Sequence, residues 1–327
     1  MKYRTFGKTG IKVSEISLGT WQLGSKWGDP VDHEKAHLTL ETAIQNGINC
    51  FDTADVYQGG LSEKIIGQHI KDLAVKPFVI TKVGRKLPKQ SKELYTESSI
   101  RNYINDSRKN MNVESLDMVL LHCPPTDVYY TPEVFEFMDQ FKKEGLIKHY
   151  GVSVERIEEG LKALDYDGVD AIEIIFNMFR LRPIETFFKK AKEKNVGVIV
   201  RVPLASGLLT GKYHERTTFG EHDHRTFNRH GEMFDKGETF SGVDYHLGLK
   251  AVQKLKKAFQ TDNLVPFALR WILMYDAVST IIPGASRPEQ VTENIMASEL
   301  PKLTEDQMEA VQKIYDEYIK DPVHYLW

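Results

Sequence analysis

The sequence lacks most features of a secreted or membrane-embedded protein. Only two of its 327 residues are cysteines, Cys50 and Cys123, which disfavours a fold held together by disulfides. No apolar run approaches the roughly 18 residues that cross a membrane, and Met1–Thr5 lacks the apolar core of a signal peptide. We therefore expect a cytoplasmic protein with two reduced thiols and no membrane partner.

An excess of charge of either sign is also missing. The formal net charge is -3, with 27% of the residues charged. A nucleic-acid-binding domain normally shows a basic footprint, so we expect no nucleic-acid partner. The chain also lacks a Gly-x-Gly-x-x-Gly turn after any predicted strand, which disfavours an open, doubly wound dinucleotide-binding sheet.

Short apolar runs alternate with amphipathic helical stretches along most of the chain. The predicted strands span 15–19, 49–52, 78–82, 116–122, 149–153, 170–176, 197–202 and 277–282. The predicted helices span 32–45, 62–70, 96–109, 132–144, 156–164, 184–194, 248–259, 265–274, 289–297 and 304–318. This pattern predicts an α/β fold, a closed (β/α)8 TIM barrel, and the open sheet is the alternative. We expect one domain over residues 1–327, with an N-terminal β-hairpin over 3–13 and a C-terminal helix.

Ionisable residues stand at the ends of three consecutive predicted strands. Asp52, Lys82 and His122 close these strands, and Tyr57 lies five residues beyond Asp52. The carboxyl ends of barrel strands share the face on which active sites are built, so these side chains are expected to meet. The alternative is that each polar residue merely closes its strand.

Several motifs in order along the chain resemble those of the aldo-keto reductases, from Leu18 to about Asn294. The motifs are FDTADVY at 51–57, ITK at 80–82, LH at 121–122, YGVS at 150–153, PLASGLLTGK at 203–212 and IPGAS at 282–286. The resemblance implies a (β/α)8 barrel that binds NADPH without a Rossmann domain. It also implies a small-molecule carbonyl or alcohol substrate that is reduced or oxidised.

The four strand-end residues suit that chemistry. Hydride addition to a carbonyl carbon leaves an alkoxide, which needs a proton donor beside the oxygen. We expect Tyr57 to be this general acid and base, with Lys82 lowering the pKa of the phenol by roughly 1 to 3 units. Asp52 is expected to hold Lys82, and His122 to orient the carbonyl.

The resemblance also implies a set of cofactor contacts. They are Gly19, Thr20, Trp21, Ser153, Glu173, Arg201, Pro203, Leu204, Ser206, Gly207, Leu209, Gly211, Lys212, Gly284, Ser286, Arg287, Gln290 and Asn294. Three positions near the nicotinamide depart from the family pattern. Val154 stands for an Asn, Glu173 for a Gln and Arg201 for a stacking aromatic, so Arg201 is expected to face pyrophosphate or an anionic substrate group instead.

Ser286 and Arg287 precede a predicted helix, whose first N–H groups favour a phosphate. We therefore expect NADPH rather than NADH. The polar stretch 213–246 is expected to be a solvated lid over the cofactor. Its residues His222, Asp223 and His224 are not expected to bind a metal.

Other features leave alternatives open. Trp21, Trp27 and residues 325–327 line the substrate mouth or belong to the core, and Arg85-Lys86 is expected to be solvated surface. A regulatory or sensing subunit that binds NADP, similar to potassium-channel β subunits, is the alternative function. A hydrolase or aldolase that uses Lys82 as a Schiff base is disfavoured because Tyr57 and the 284–294 segment are present.

Overall fold

A computed structural model describes residues 1–25 and 29–327, so the expectation for Trp27 lies outside the described residues. The strands are β1 (Tyr3–Thr5), β2 (Lys12–Ser14), β3 (Leu18–Gly19), β4 (Cys50–Asp52), β5 (Phe78–Val83), β6 (Leu116–His122), β7 (Ile147–Ser153), β8 (Ala171–Ile175), β9 (Gly197–Arg201) and β10 (Val278–Ile281). The helices are α1 (His33–Gln45), α2 (Leu61–Ile70), α3 (Glu97–Met111), α4 (Pro132–Lys143), α5 (Ile157–Ala163), α6 (Phe187–Glu193), α7 (His224–Phe227), α8 (Tyr245–Phe259), α9 (Val265–Leu273), α10 (Pro288–Glu299), α11 (Glu305–Ile314) and α12 (Lys320–Val323).

Strands β3 to β10 form one parallel sheet in chain order, and its two edges meet. Ile16 pairs with Ile281 in parallel, and the Ser17 N–H donates to the Ile281 carbonyl at 2.8 Å. The sheet is therefore a closed barrel with helices between its strands, which confirms the predicted (β/α)8 fold and excludes the open sheet.

The predicted N-terminal hairpin is confirmed, and it closes the amino end of the barrel. Strands β1 and β2 are antiparallel, with Tyr3 opposite Ser14. Phe6, in the connection between them, is fully buried, and a Cβ added to Gly197 would lie 2.5 Å from its ring. Gly197 thus lets the hairpin approach the start of β9 closely.

Local signals set most of the helix starts. Asp32 and Thr96 accept hydrogen bonds from Lys35 N–H and Ser99 N–H, as expected of N-caps. Thr304 forms the predicted capping box at the start of the C-terminal helix. That helix widens into a π turn at Tyr315–Ile319 before α12.

The expectation of a solvated loop at 213–246 is wrong for a large part of that stretch. It contains α7, and residues 237–243 are buried. Asn228 is fully buried, and its side-chain oxygen accepts from Met233 N–H at 2.8 Å and Phe234 N–H at 3.0 Å. The polar composition misled because side chains such as Asn228 satisfy the loop's own backbone. Helix α8 also begins earlier than predicted because Asp244 caps it.

Among the described residues, no helix combines the length and apolar character needed to span a membrane.

Candidate active site

The structure brings Asp52 and Lys82 together at the carboxyl end of the barrel. The Lys82 ammonium lies 2.6 Å from both oxygens of Asp52 and donates to the Thr53 carbonyl at 3.0 Å. Both side chains are buried. Adjacent parallel strands β4 and β5 position them, so the pairing follows from the barrel register.

Tyr57 and His122 complete the cluster that the sequence predicts. Tyr57 begins a short turn after β4, and Lys82 Nζ lies 5.3 Å from the centroid of its ring. The His122 ring, at the end of β6, packs edge-on against Tyr57 with centroids 6.0 Å apart. The Trp21 ring covers another side of Tyr57 at 6.2 Å. The four predicted side chains therefore lie together at the carboxyl end of the barrel, each in contact with at least one other.

Burial controls the acidity of this cluster. It raises the pKa of Tyr57, and this outweighs the opposite effect of the Lys82 charge, while Asp52 and Glu173 raise the pKa further. Lys82 therefore lowers the pKa of the phenol in the expected direction, but burial, which the sequence did not reveal, outweighs its effect. Burial also holds the pKa of His122 well below its usual range, assisted by the charges of Arg85 and Lys82. Tyr57 is thus a neutral phenol, and His122 a neutral imidazole, at physiological pH.

Glu173, which the family resemblance places near the nicotinamide, lies beside the cluster. Its Oε2 atom is 3.5 Å from Lys82 Nζ, and its Oε1 atom accepts a hydrogen bond from the Ser153 hydroxyl at 3.2 Å. Lys82 therefore faces two carboxylates. Burial lowers the pKa of Lys82, but the charges of Asp52 and Glu173 outweigh it and raise the pKa above its ordinary value.

Arg201 does not project as a free cation. Its guanidinium lies 2.8 Å from Glu155 Oε2 and 3.5 Å from Glu238 Oε1. Arg85 contacts the same two carboxylates, at 3.1 Å and 2.6 Å. We call Arg85, Glu155, Arg201 and Glu238 the ionic quartet. The expectation that Arg85 is solvated surface is wrong, because two acidic residues from distant segments enclose it.

Arg85 and Glu155 of the ionic quartet line a cavity of about 410 Å³ at the barrel mouth. Lining residues include Arg85, Gln90, Cys123, Glu155, Met233 and Phe234. Cys123, the residue after His122, thus lines the cavity, and the cavity wall contains both polar and apolar side chains. A small organic molecule fits a space of this size.

These elements match a known family. The model of the Aldo/keto reductase family covers residues 15–316. The chain belongs to the aldo/keto reductase family. Members of this family are oxidoreductases that use nicotinamide cofactors.

Three similar proteins illustrate the range of the family. An aldo-keto reductase of Bacillus halodurans in its holo form has a TM-score of 0.77 and 28% identity, with 96% of each chain covered. The NADH-specific methylglyoxal reductase of Escherichia coli strain K12 is 27% identical over 313 residues, 91% of this chain and 93% of that protein. A probable voltage-gated potassium channel subunit beta of Arabidopsis thaliana is 27% identical over 346 residues, 99% of this chain and 100% of that protein.

The segment after β9 adopts a tight turn that suits close approach of a ligand to the backbone. Val202, Ala205 and Ser206 have φ angles of 50°, 48° and 55°, which are left-handed for non-glycine residues. Ser206 Oγ donates to the Glu238 carbonyl at 2.9 Å and accepts from Phe240 N–H at 3.0 Å. The 236–242 segment thus lies directly against this turn.

Several residues predicted to contact the cofactor already form contacts within the protein. Thr20 donates its hydroxyl hydrogen bond to the Asp52 carbonyl at 2.8 Å, and Leu209 is fully buried in the core. Lys212 forms an exposed ion pair with Glu293 at 3.0 Å. Pro203, Leu204, Gly207 and Gly211 contribute backbone to the same turn.

The segment after β10 is open where a phosphate is expected. A Cβ added to Gly284 would have Gly19 O at 4.0 Å as its nearest described neighbour. The backbone N–H and hydroxyl of Ser286 both donate to Gln290 Oε1, at 2.8 Å and 3.1 Å. Helix α10 begins at Pro288, and Asn294 is buried on it.

These residues fit a nicotinamide cofactor at its phosphate and reacting ends. The open space at Gly284 and the start of α10 suit a phosphate. His122 Nδ1 has no hydrogen-bond partner among the described residues, so a polar atom at the reacting end is left over for another partner. Near the nicotinamide amide the fit is incomplete, because Val154 offers no side-chain donor and Glu173 can only accept when ionised.

No metal centre is supported within the described residues. Cys123, Glu155 and Glu238 place ligand atoms within 4.8 Å of one another, but both carboxyl groups are already paired with Arg85 and Arg201. Asp223 pairs with Arg225 at 2.5 Å rather than with a histidine-bound ion.

Sequence reasoning missed Glu155 and Glu238, which hold the two arginines of the ionic quartet. Glu155 follows Ser153 and Val154 at the end of β7, so its position in a strand-end motif is the one signal that pointed to the site. Glu238 lies in the stretch interpreted as a solvated lid, and nothing local marked it as buried. Its burial depends on the packing of residues 236–242 against the turn after β9.

Proposed function

We propose that this protein is an NADPH-dependent oxidoreductase that interconverts aldehydes or ketones with alcohols. Asp52, Tyr57, Lys82 and His122 are the catalytic residues in this proposal. The observation that carries it is the position of Lys82 Nζ, 2.6 Å from both Asp52 oxygens and 5.3 Å from the Tyr57 ring centroid.

Each residue has a separate role in the proposed reaction. When bound, the nicotinamide supplies or accepts the hydride. Tyr57 donates its phenolic proton to the oxygen of the carbonyl as that oxygen gains negative charge, and takes a proton back in alcohol oxidation. Lys82 stabilises the resulting phenolate, and Asp52 fixes the ammonium in place. His122, held neutral by burial, hydrogen-bonds to the same oxygen and orients it.

The raised pKa of Tyr57 affects the two directions differently. A neutral phenol is ready to donate a proton over the whole physiological range, which suits carbonyl reduction. Alcohol oxidation needs the phenolate, whose formation becomes easier at alkaline pH. Reduction is therefore expected to persist at neutral pH, while oxidation accelerates as pH rises.

NADPH is the proposed cofactor, and the segment after β10 supports it. Arg287 is exposed at the start of α10, where helix N–H groups and a guanidinium together suit the 2′-phosphate. The E. coli relative is named for NADH specificity, so NADH is the competing choice. A comparison of both cofactors therefore belongs in the first experiment.

A second candidate is an NADP-binding sensing or regulatory subunit with little turnover. The similarity to the Arabidopsis potassium-channel subunit beta favours it. The buried charges around Lys82 are compatible with both functions, because cofactor binding and turnover use the same pocket. Turnover separates the two.

The test follows NADPH absorbance with a panel of small aldehydes, ketones and sugars. Tyr57→Phe keeps the ring packing against Trp21 and removes only the hydroxyl. We expect carbonyl reduction to fall by at least about 100-fold, the low end of general acid–base contributions, while NADPH affinity stays nearly unchanged. Near-normal turnover in this variant would contradict the proposed role of Tyr57. Cofactor binding without turnover on the whole panel would favour the sensing function.

A further inference from the structure

Glu173 introduces a second buried carboxylate next to the proposed catalytic lysine. Its side chain, like those of Asp52 and Lys82, is at most 3% exposed. The Oε1 atom accepts from Ser153, but Oε2 receives no hydrogen bond from any described group and faces Lys82 at 3.5 Å. A buried carboxylate oxygen without a hydrogen-bond donor lowers the stability of the fold, so its presence at this position needs a functional explanation.

The residues around Glu173 carry charges of both signs. Asp52 and Lys82 form a tight pair at 2.6 Å, whereas Glu173 stands further from the ammonium at 3.5 Å. On β9, Ile199 pairs with Glu173, and Arg201 lies two residues further along the strand. Arg201 brings a permanent positive charge. Its ion-pair partners, Glu155 and Glu238, also pair with Arg85. Glu173 is therefore a carboxylate that Lys82 faces without a direct hydrogen bond and that interacts electrostatically with Arg201.

The two forms of a nicotinamide differ in charge at the ring. The oxidised ring is positive and the reduced ring is neutral, so a fixed charge nearby changes their relative affinities. Arg201 stands where the family resemblance places an uncharged aromatic, and a positive charge there opposes the oxidised ring. Glu173 stands where the resemblance places an uncharged Gln, and a negative charge there has the opposite effect.

We propose that Glu173 sets the balance between oxidised and reduced nicotinamide in this site, because its carboxylate offsets the positive charge of Arg201 and Lys82. Glu173 and Arg201 are thus a compensating pair of departures on neighbouring strands. This inference rests on the proposed function, since it requires a nicotinamide to bind. Its consequence is that Arg201 does not disfavour binding of the oxidised cofactor in this site.

The test measures dissociation constants for the oxidised and reduced cofactors by fluorescence titration, without substrate or turnover. Glu173→Gln keeps the shape and an acceptor oxygen for the Ser153 hydroxyl, removes the charge and replaces the second oxygen with an amide donor. We expect this variant to weaken binding of the oxidised form relative to the reduced form by at least tenfold. Glu173→Asp, which retains the charge, should keep the ratio within about threefold of the unmodified protein.

Asp170→Asn is the matched control. Asp170 is a buried carboxylate just before β8, at the opposite end of the barrel, where it pairs with Lys142 at 2.7 Å. The control removes the same charge from the chain but should leave the ratio of the two dissociation constants unchanged. Thermal shifts with saturating oxidised or reduced cofactor provide a second measurement of the same ratio.

The outcomes separate this inference from the proposed function. An unchanged ratio in Glu173→Gln overturns the inference, while cofactor binding itself leaves the proposed function standing. Absence of binding by either cofactor pair to the unmodified protein overturns the proposed function. If Glu173→Gln does not fold, the unmodified protein still decides: reduced cofactor bound more than tenfold tighter than oxidised contradicts the inference.

Discussion

Arg201 Nη2, at the end of β9, and Glu155 Oε2, just after β7, lie 2.8 Å apart across the end of β8 at the barrel mouth. Burial raises the pKa of Glu155 to about 8 despite this contact. In Glu238 the charges of Arg85 and Arg201 outweigh burial and hold the pKa at about 2. Arg201 therefore belongs to an internal network, and an incoming anion would have to compete with two carboxylates for it.

Removal of one cation from the ionic quartet is expected to be costly. Arg201→Met preserves much of the side-chain volume but leaves Glu155 and Glu238 with Arg85 alone. We expect the free energy of unfolding to fall by about 3 to 5 kcal/mol, the usual cost of breaking a buried ion pair. Urea denaturation at pH 7 measures it. The matched control is Arg287→Met, whose exposed pair with Glu289 should contribute at most about 1 kcal/mol. Equal effects of the two variants would show that the quartet is not effectively buried.

The barrel and the four strand-end residues could be predicted from the sequence because both depend on local patterns. Strand length, helix periodicity and the last residue of each strand fixed the positions of Asp52, Lys82 and His122 relative to one another. The ionic quartet could not be predicted in this way. Arg85 and Glu238 are 153 positions apart, and only tertiary packing of the 236–242 segment joins them.

The sequence was equally uninformative about acidity. The same strand-end pattern is compatible with a lowered or a raised phenol pKa at Tyr57, since the sign depends on burial as well as on Lys82. The proposed cofactor contacts and the assignment of residues 1–327 to one domain stay predictions.

We expect the buried Asp55 side chain to make the free energy of unfolding depend on pH. The Asp55 side chain is 1% exposed, and neither of its carboxyl oxygens has a hydrogen-bond partner among the described residues. Burial raises its pKa to about 7, against the effect of Lys86. The folded state therefore keeps a proton that the unfolded state loses near pH 4, so stability falls as pH rises from 4 to 7.

Asp55→Asn removes that dependence. We expect the stability of the variant relative to the unmodified protein to increase by about 3 kcal/mol between pH 5 and pH 8, since one pKa unit corresponds to about 1.4 kcal/mol. Urea denaturation at each pH measures it, and His122 contributes equally to both proteins. Asp32→Asn, at an exposed helix cap, should show no such increase above pH 5. A constant difference between pH 5 and pH 8 would show that Asp55 is not protonated in the folded state.

Trp327 holds the segment 235–242 against the barrel. Its indole N–H donates to Asp235 at 2.8 Å, and the Arg180 guanidinium stacks over its ring at 4.1 Å. A Cβ on Gly242, whose φ is 77°, would lie 2.3 Å from the ring. Gly242 therefore permits a contact that any larger residue would break.

We expect Gly242→Ala to displace Trp327 and to accelerate protease nicking within 213–246 by at least about tenfold. This corresponds to a local opening made easier by roughly 1.4 kcal/mol. Limited proteolysis followed by mass spectrometry locates the cuts. Saturating NADPH should slow nicking in the unmodified protein if the segment orders over the cofactor. Gly220→Ala is the control, because a Cβ there meets no described atom within 4 Å. Equal nicking in both variants would mean that Trp327 does not restrain this segment.

The choice between NADPH and NADH depends on Arg287 in our proposal. Its guanidinium lies 3.6 Å from Glu289, and both side chains are more than half exposed. Glu289 therefore points toward Arg287 rather than away from it. An exposed pair of this kind is worth at most about 1 kcal/mol. A 2′-phosphate offers Arg287 charge-assisted hydrogen bonds of roughly 1.5 to 3 kcal/mol, so the exchange is favourable.

We therefore expect NADPH to bind at least about tenfold more tightly than NADH, a difference of roughly 1.4 kcal/mol. Arg287→Ala should weaken NADPH binding by a similar factor, leave NADH binding nearly unchanged and flatten the salt dependence of NADPH affinity. Titration calorimetry at two salt concentrations measures all three. Lys313→Ala, which removes an exposed cation paired with Glu309 on α11, should change neither affinity. If Arg287→Ala weakens the binding of NADPH and NADH equally, Arg287 contacts a part of the cofactor that the two have in common. Equal affinity of the unmodified protein for NADPH and NADH would mean that no residue of this segment binds the 2′-phosphate. NADH would then become the preferred proposal.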